Sequence, residues 1–542
     1  NNDFYQPLLQ MKKISLPGIS NLKMNIISRR TRLYYLSFLK YDFKASITVF
    51  FVALPLCLGI SLASGTPVYS GLLAGIIGGV VVSLLSKSEL SVSGPAAGLT
   101  AICAAAIVQL GSLEVFFLSV MLAGFLQLLL GAFRLGGFTH FIPSAVIKGM
   151  LAAIGIILIS KQVPLLIGFN KPDFWTNELF NIITFNNGFR HIDDLYANTS
   201  AGAIIIAAGA FCVYWSWNKF MVKKVPFLPV SFIVVVFGVL SALLFQNCFT
   251  SLQLNPTQYV TLPPDIFGQV KLPEAGLMFS DINVWRNAVV ICFVATLETL
   301  LSIEAIDKLD PYNRITPQNR ELMAQGAGNM LSGFLGGLPI TAVIVRSSAN
   351  AAAGAKTKTS SFTHGVWLLL AILFAIPLIN LVPYCVLAVI LFRTGYNLAK
   401  PKMIYTVYKQ GREQFMPFII TVVSILLTDL LIGVLIGFVY SIYFLIKHTY
   451  QAGFVVKESM EKGKKYFLIE LDLNVSFLNK RRFMELLDKI PEHSVVEING
   501  IDTIYIDRDI LEIFQDFRPK AIRKNIHLVM FNIPSVETIV SH

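Results

Sequence analysis

The sequence predicts an all-α polytopic membrane domain followed by a small α/β domain. Three observations predict it. First, 55% of the 542 residues are hydrophobic and only 14% are charged, against about 25% charged in soluble domains. Mean hydropathy is +0.65, and an apolar surface of that extent in water would aggregate. Second, the charge is unevenly placed. Ala45–Leu85 carries none, whereas Asn1–Lys44 and Val456–His542 are rich in it. Third, strand-like and helix-like stretches alternate from about Phe454 onward. The expected organisation is an N-terminal segment (1–43), a membrane domain (44–450) and a C-terminal domain (451–542).

An apolar run of about 20 residues crosses a bilayer as a helix. Such runs lie near 44–63, 68–86, 95–110, 113–132, 142–164, 199–218, 228–246, 284–306, 320–336, 341–354, 361–379, 381–393, 415–429 and 431–449. That makes about fourteen spans, several of them short or interrupted by Gly and Pro. No cleavable signal peptide is expected, because the first strongly apolar run begins too late for one. The chain opens on Asn1, and Met11 is a candidate native start.

The net charge is +12. Its placement speaks for a lipid bilayer as partner and against nucleic acid, because Lys and Arg cluster at the ends of apolar runs. With the N-terminus inside, the cytosolic side collects Arg29, Arg30, Arg32 and Lys40. It also collects Lys219, Lys223, Lys224, Lys400, Lys402, Lys409 and Arg412. The two long outward loops, 165–198 and 247–283, are poor in Lys and Arg. They carry Asp173, Glu178, Asp193, Asp194, Asp265 and Glu274. The bias fits an even span count, both termini cytosolic and a multi-pass protein of the cell inner (plasma) membrane.

The six Cys residues form no CxxC, and five lie inside apolar runs. They read as small core hydrophobes, with no disulfide framework and no metal cluster. No GxSxG, Walker loop or HExxH occurs, so neither an enzyme nor an organic cofactor is expected. In the C-terminal region, Tyr466–Leu473, Ser494–Ile498 and Ile526–Phe531 read as strands. Asn479–Lys489 and Ile506–Phe517 read as helices. Such alternation predicts an α/β domain with a modest core.

Two segments interrupt the helical reading in the same way. One is Ser91–Thr100 (SVSGPAAGLT) and the other is Gly336–Arg346 (GGLPITAVIVR). Each is a short extended stretch, then Pro, then small residues opening a helix. They stand at matching places in the two halves of the membrane domain, which points to an inverted-repeat transporter with a midplane site. Non-helical backbone at membrane depth is tolerated where it lines a cavity. Two helix N-termini there would offer N–H groups and positive dipole ends to an anion. The plainer alternative is a pair of packing kinks.

Glu298 sits in the middle of the apolar run Ala288–Ser302. An intramembrane carboxylate is costly and is read as functional by default. Ser302 lies four residues on and projects from the same helix face. The pair could bind Na⁺, or Glu298 could carry a proton. Otherwise Glu298 is a packing carboxylate. Arg346 either adds positive potential to the site or snorkels at the inner membrane edge. Asp429 reads as an N-cap, and His140 and His364 as structural.

At these residues the sequence resembles the SulP (sulfate permease) family of anion transporters. The matching pieces are SVSGPAAGLT (Ser91–Thr100), LETLLS (Leu297–Ser302) and AQGAGNMLSGFLGGLPITAVIVRSSAN (Ala324–Asn350). The stretches VALPLCLGISLASG and VIVRSSANAAAGAKT resemble the bicarbonate-transporter-like branch, often associated with carbonic anhydrase. The resemblance implies a 7+7 inverted repeat. Spans 1–4 and 8–11 would form a core that slides against a gate of spans 5–7 and 12–14 in an elevator-type cycle. It implies an anion site at Ser93, Gly94, Ala96 and Ala97 from span 3, at Thr341, Ala342 and Val343 from span 10, and at Glu298 from span 8. It also implies a homodimer, and a C-terminal STAS domain matched at Ile498–Phe517.

The chain departs from the family pattern in three places. Leu56 follows Pro55 where many members carry Gln. Arg508 follows Asp507 where phosphorylatable STAS domains carry Ser. Glu298 and Ile344 stand where sodium-coupled members often carry Asp and Thr, which favours proton coupling or exchange over Na⁺. The expected activity is secondary transport of sulfate or bicarbonate. The alternatives are a channel-like or dicarboxylate-transporting member and, further off, a membrane-bound enzyme or scaffold. A second polar partner at the depth of Glu298 would favour the enzyme.

Overall fold

The computed structural model describes residues 20–137, 143–169, 199–221, 224, 225, 228–266, 268, 273, 276, 281–428, 430–461 and 464–534, with side chains from residue 37. His140, Asp429, Glu274 and nearly all of the loop 165–198 lie outside the described residues. Backbone packing divides the chain into two units. One is Asn1–Ile142, Met150–Ile404 and Ile425–Leu431. The other is Pro143–Gly149, Tyr405–Ser424 and Ile432–His542.

The first unit is helical. It opens with α1 (Ser20–Ala63) and α2 (Val68–Ile77), which runs on through a π-turn at Gly78–Val82 to Leu85. A short strand β1 (Ser93–Pro95) and a 3₁₀ turn (Ala97–Leu99) lead into α3 (Thr100–Leu110) and then α4 (Leu113–Ala132). After these come α5 (Ser144–Leu166), α6 (Ala201–Ser216) and α7 (Val230–Cys248). The second half has α8 (Ile282–Asp307), α9 (Gln318–Phe334), a strand β2 (Ile340–Ala342) and α10 (Ile344–Ala352). It continues with α11 (Thr359–Phe374, prolonged by a turn at Ile376–Ile379) and α12 (Tyr384–Leu398).

Among the described residues, eight helical segments are long and apolar enough to cross a membrane, including Ser37–Ala63, Leu113–Ala132, Ser144–Leu166 and Ile282–Asp307. Ala97–Leu110 and Thr359–Phe374 are shorter apolar helices. The two expected interruptions fall where Pro95 and Pro339 place them, and most span ends agree to within a few residues, but α1 begins at Ser20, well before the expected start at 44. The stretch 394–414, left between the expected spans 381–393 and 415–429, is mostly helix. Leu398 ends α12, and α13 (Pro401–Lys409) follows. Pro401 suits the first helical position, and the mixed basic and aromatic pattern hides the period from a hydropathy reading.

The first unit is held by polar ties as well as by apolar packing. Asp42, fully buried in α1, accepts from the N–H groups of Lys356 (2.7 Å) and Thr357 (3.0 Å) and so fixes the approach to α11. All six cysteines are free. Cys57, Cys103, Cys292 and Cys385 are buried, and Cys212 and Cys248 are exposed. Small apolar side chains are tolerated in either setting.

The second unit carries α14 (Arg412–Leu427) in large part, α15 (Leu430–Ala452) and the α/β region. That region has β3 (Phe454–Glu461), β4 (Lys464–Leu471), β5 (Asn474–Val475), α16 (Lys480–Lys489), β6 (Val495–Asn499), β7 (Tyr505–Ile506), α17 (Arg508–Arg523) and β8 (His527–Phe531). The main sheet has the order β3-β4-β6-β8. Its β4–β6 and β6–β8 pairs are parallel, and β3–β4 is antiparallel. The edge strand β3 is additional to the sequence reading, because Lys457, Glu458 and Glu461 disguise its alternation. Phe467 and Ile469 of the sheet pack with Phe483 of α16 and Phe514 of α17 in one core. The Asp507 side chain caps α17 by accepting from the Asp509 N–H.

Asn479, fully buried, ties this region to the end of α15. Its amide donates to the carbonyls of Thr449 (2.8 Å) and Tyr450 (3.1 Å). The last carbonyls of a helix have no partner within it. Asn479→Ala strands two of them, at a cost of about 1–3 kcal/mol. We expect a lower midpoint in thermal unfolding. An unchanged midpoint would mean that the tie contributes nothing.

Candidate functional site

The site is built from two strands far apart in sequence. β1 and β2 pair antiparallel, with Ser93 opposite Ala342, Gly94 opposite Thr341 and Pro95 opposite Ile340. Pro95 and Pro339 are thereby neighbours. Each strand leads directly into the opening of a half-length helix, β1 into the turn before α3 and β2 into α10. The pair extends at Val343, whose N–H donates to the Val92 carbonyl at 3.0 Å.

Buried side chains hold this short ladder in place, and the sequence reading missed them. Asn329 on α9 brackets Ile340, donating to its carbonyl (2.9 Å) and accepting from its N–H (2.5 Å). Ser347 accepts from the Val92 N–H at 2.9 Å, and Asn350 donates to the Leu90 carbonyl at 3.0 Å. Thr299 accepts from the Ala342 N–H at 3.3 Å. One signal was available. Glu321, Gln325 and Asn329 recur every four residues on α9, so they stack as a polar stripe on one face.

Residues alternate between the two faces of a strand, and here the faces have different surroundings. On the first, Ser93 accepts from Gln325 Nε2 at 2.7 Å, and Gln325 also donates to Glu321 at 2.9 Å. Ala342 packs there with Leu300, Ile303 and Leu322. The side chains of Ser93 and Ala342 are thus committed to α8 and α9, and what these residues can offer a ligand is backbone. On the second face Gly94 is opposite Thr341, whose buried hydroxyl has no hydrogen-bond partner. A side chain at Gly94 would run into Nη1 of Arg346.

Arg346 is fully buried, which excludes the snorkelling alternative. Its Nη2 donates to the Pro95 carbonyl (3.3 Å) and approaches the Cys57 sulfur (3.4 Å). Its Nε and Nη1 have no partner, and no salt bridge to it occurs among the described residues. A standing positive charge therefore lies behind β1.

Ala96 is buried and extended, and it caps the turn Ala97–Leu99. Ala97 and Val343 occupy the two helix openings. Glu298 reaches the first of these openings from α8. Its carboxylate accepts from the Gly98 N–H. A Cβ on Gly98 would lie 2.7 Å from Oε2 and 3.0 Å from Oε1. Oε2 is buried without a partner. Ser302 is buried one turn further along the same helix. The acid also stands against Gly98. Only a residue without a side chain admits it there. Gly98→Ala will displace the carboxylate, overpack this opening and lower the thermal unfolding midpoint. An unaltered midpoint would count against the contact.

The family profile described as the sulfate permease family matches residues 39–421. The chain belongs to the sulfate permease family. It is a membrane-bound anion transporter and not an enzyme. Among its relatives is the putative sulfate transporter YvdB of Bacillus subtilis, 27% identical over 434 residues, with 78% of this chain and 77% of YvdB covered. Another is the bicarbonate transporter BicA of Picosynechococcus, 25% identical over 416 residues, with 73% of this chain and 68% of BicA covered.

Solved structures agree on the fold. The transmembrane domain of a cyanobacterium bicarbonate transporter BicA matches with a TM-score of 0.60 at 23% identity, covering 74% of this chain and 97% of that one. The murine Slc26a9 anion transporter in the inward-facing state matches with a TM-score of 0.73 at 13% identity, covering 98% and 92%. This sulfate permease family member thus shares its architecture over the membrane domain and the C-terminal region alike.

Proposed function

We propose that this sulfate permease family member is a secondary active transporter of a small inorganic anion, sulfate or bicarbonate, working by alternating access. The observation that carries the reading is the β1–β2 pair, which brings two helix openings together beside Glu298. Each opening presents a positive dipole end, and Arg346 adds a full charge. Such a cage recognises charge and size rather than shape. Relatives named as sulfate and bicarbonate transporters support the same pair of substrates.

Coupling is to protons or by exchange. Glu298 occupies the N–H of Gly98, so an anion arriving at that N–H meets least resistance when the acid is neutral. A helical core carrying α3, α8 and α10 slides against a gate in an elevator-type cycle. The protein sits in the plasma membrane with both ends cytosolic, as the Lys and Arg bias favours. It assembles as a homodimer with a STAS-type C-terminal module.

The test is uptake of labelled bicarbonate and labelled sulfate by proteoliposomes, with and without a pH or Na⁺ gradient. Accumulation of one anion, driven by an inward proton gradient or by counter-anion, is the expected result. Failure to take up either anion under every gradient would overturn the reading.

A further inference from the structure

Glu321 is a fully buried carboxylate in the first turn of α9, and the transport reading gives it no task. Burying a carboxylate is costly unless hydrogen bonds satisfy it. Two neutral donors do so here. Ser86 Oγ donates to Oε2, and Gln325 Nε2 donates to Oε1 at 2.9 Å. Ser86 directly follows the extension of α2, and Ser93 opens β1. The segment 87–92 joins them. Glu321 therefore holds the near end of that segment directly. It holds the far end through Gln325, whose Nε2 also donates to Ser93 Oγ at 2.7 Å.

An ionised carboxylate accepts hydrogen bonds and does not donate them. It thus fixes which way the Gln325 amide points, because the reverse orientation would set oxygen against oxygen. That orientation has a cost. Gln325 Oε1 is left buried without a hydrogen-bond partner, and an unpaired buried acceptor is destabilising. On its other side Ser93 lies against α2, where a Cβ on Gly78 would come within 2.6 Å of the Ser93 carbonyl group. β1 is thus clamped between a glycine of α2 and the Gln325 amide. Asn329, one turn further along α9, holds Ile340 of β2. One face of α9 therefore sets the position of both strands.

We propose that Glu321 is a positioning residue for the anion site, acting through Gln325 and Ser93 on the backbone of β1. The proposal rests on the transport reading above and deepens it. Glu321 does not touch the ligand. It holds the strand that leads into α3, and so sets where that opening stands relative to the opening of α10. Without the brace β1 gains freedom, and the anion has to order the strand as it binds. That ordering opposes binding, so affinity falls.

The experiment is titration of the purified full chain in detergent with sulfate and, separately, bicarbonate. The thermal unfolding midpoint of the empty protein reports the fold, and its rise with anion gives an apparent Kd. Wild type is compared with Glu321→Gln, Glu321→Met, Gln325→Met and the double Met variant. Losing one net hydrogen bond predicts binding about fivefold weaker in Glu321→Met and in Gln325→Met. The double variant should bind no more weakly than either single one, because both act along one path. Glu321→Gln should keep wild-type affinity, since its amide oxygen still accepts from Gln325 and its amide nitrogen can donate to Ser86. Gln325→Met leaves the carboxylate and its tie to Ser86 in place, so it carries the test if Glu321→Met does not fold.

A residue that only supports the fold would lower the empty midpoint and leave the Kd unchanged. That result in Glu321→Met or in Gln325→Met overturns the proposal. So do losses that add in the double variant, which would put the two side chains on separate paths. Equal weakening in Glu321→Gln and Glu321→Met also overturns it, because charge rather than the hydrogen bond would then set the affinity. Arg346→Met separates these outcomes from failure of the anion site itself. If Arg346→Met weakens binding while the Glu321 and Gln325 variants do not, only the role of Glu321 falls. If wild type shows no rise with either anion, the anion site falls and the positioning role falls with it.

Discussion

Replacing Glu298 by Gln will abolish gradient-driven anion uptake and leave the protein folded. Gln is nearly the same size as Glu, and its carbonyl oxygen can still accept from the Gly98 N–H, so the packing around Gly98 survives. What it cannot do is change charge. Glu298 is the acid at the opening of α3, and in the mechanism proposed above its switching between charged and neutral forms links cation to anion movement. Coupling free energies between two ligands run to about 1–3 kcal/mol, or roughly 5- to 150-fold in affinity. Losing that term should flatten the dependence of uptake on an imposed pH gradient. Exchange of one anion for another, which needs no net charge movement through Glu298, should persist. The measurement is uptake by proteoliposomes under an inward proton or Na⁺ gradient, beside counterflow exchange in the same vesicles. Normal cation-dependent accumulation by the variant would remove Glu298 from the mechanism.

Arg346→Met will weaken anion binding sharply without destabilising the protein. The guanidinium is fully buried, only one of its nitrogens has partners, and it forms no salt bridge among the described residues. A buried charge without a partner carries a desolvation penalty, and an apolar replacement of similar volume is often neutral or stabilising. The unfolding midpoint of the empty protein should therefore hold or rise. Binding should move the other way. A unit charge about 8 Å from a bound anion, at an effective dielectric constant of about 20, contributes ~2 kcal/mol. That amounts to roughly 30-fold in Kd. The two readouts separate a functional charge from a structural one, since a structural arginine would lower the midpoint when removed. A variant that binds sulfate and bicarbonate as wild type does would show that the charge behind β1 does not reach the ligand.

The comparison of sequence with structure turns on how far each signal reaches. Hydropathy is a local sum, so it located the spans near the observed helices. It failed at Pro401–Lys409, where an amphipathic helix carries too much charge to register. Glu298 was legible because one carboxylate in an apolar run needs no second residue to be noticed. Helical spacing puts Ser302 on the face of Glu298, and the structure adds Gly98, in the turn before α3, against that acid. Helical spacing states which residues share a face. It does not state what stands opposite that face.

By itself the sequence determined the membrane class, the positions of the spans, the two breaks at Pro95 and Pro339, and the acid between the halves. Each follows from the composition of one short segment and the demand that backbone polar groups in lipid be satisfied. Only the tertiary structure decided that Ser93–Pro95 pairs with Ile340–Ala342. It also decided that Ser93 and Ala342 turn toward α8 and α9, and that Arg346 stands buried behind the strand. The physical reason is that pairing register and side-chain facing depend on contacts between segments far apart in the chain. Asn329, Gln325 and the bare backbone of Gly94 and Gly98 supply those contacts, and no local pattern records which partner each will meet.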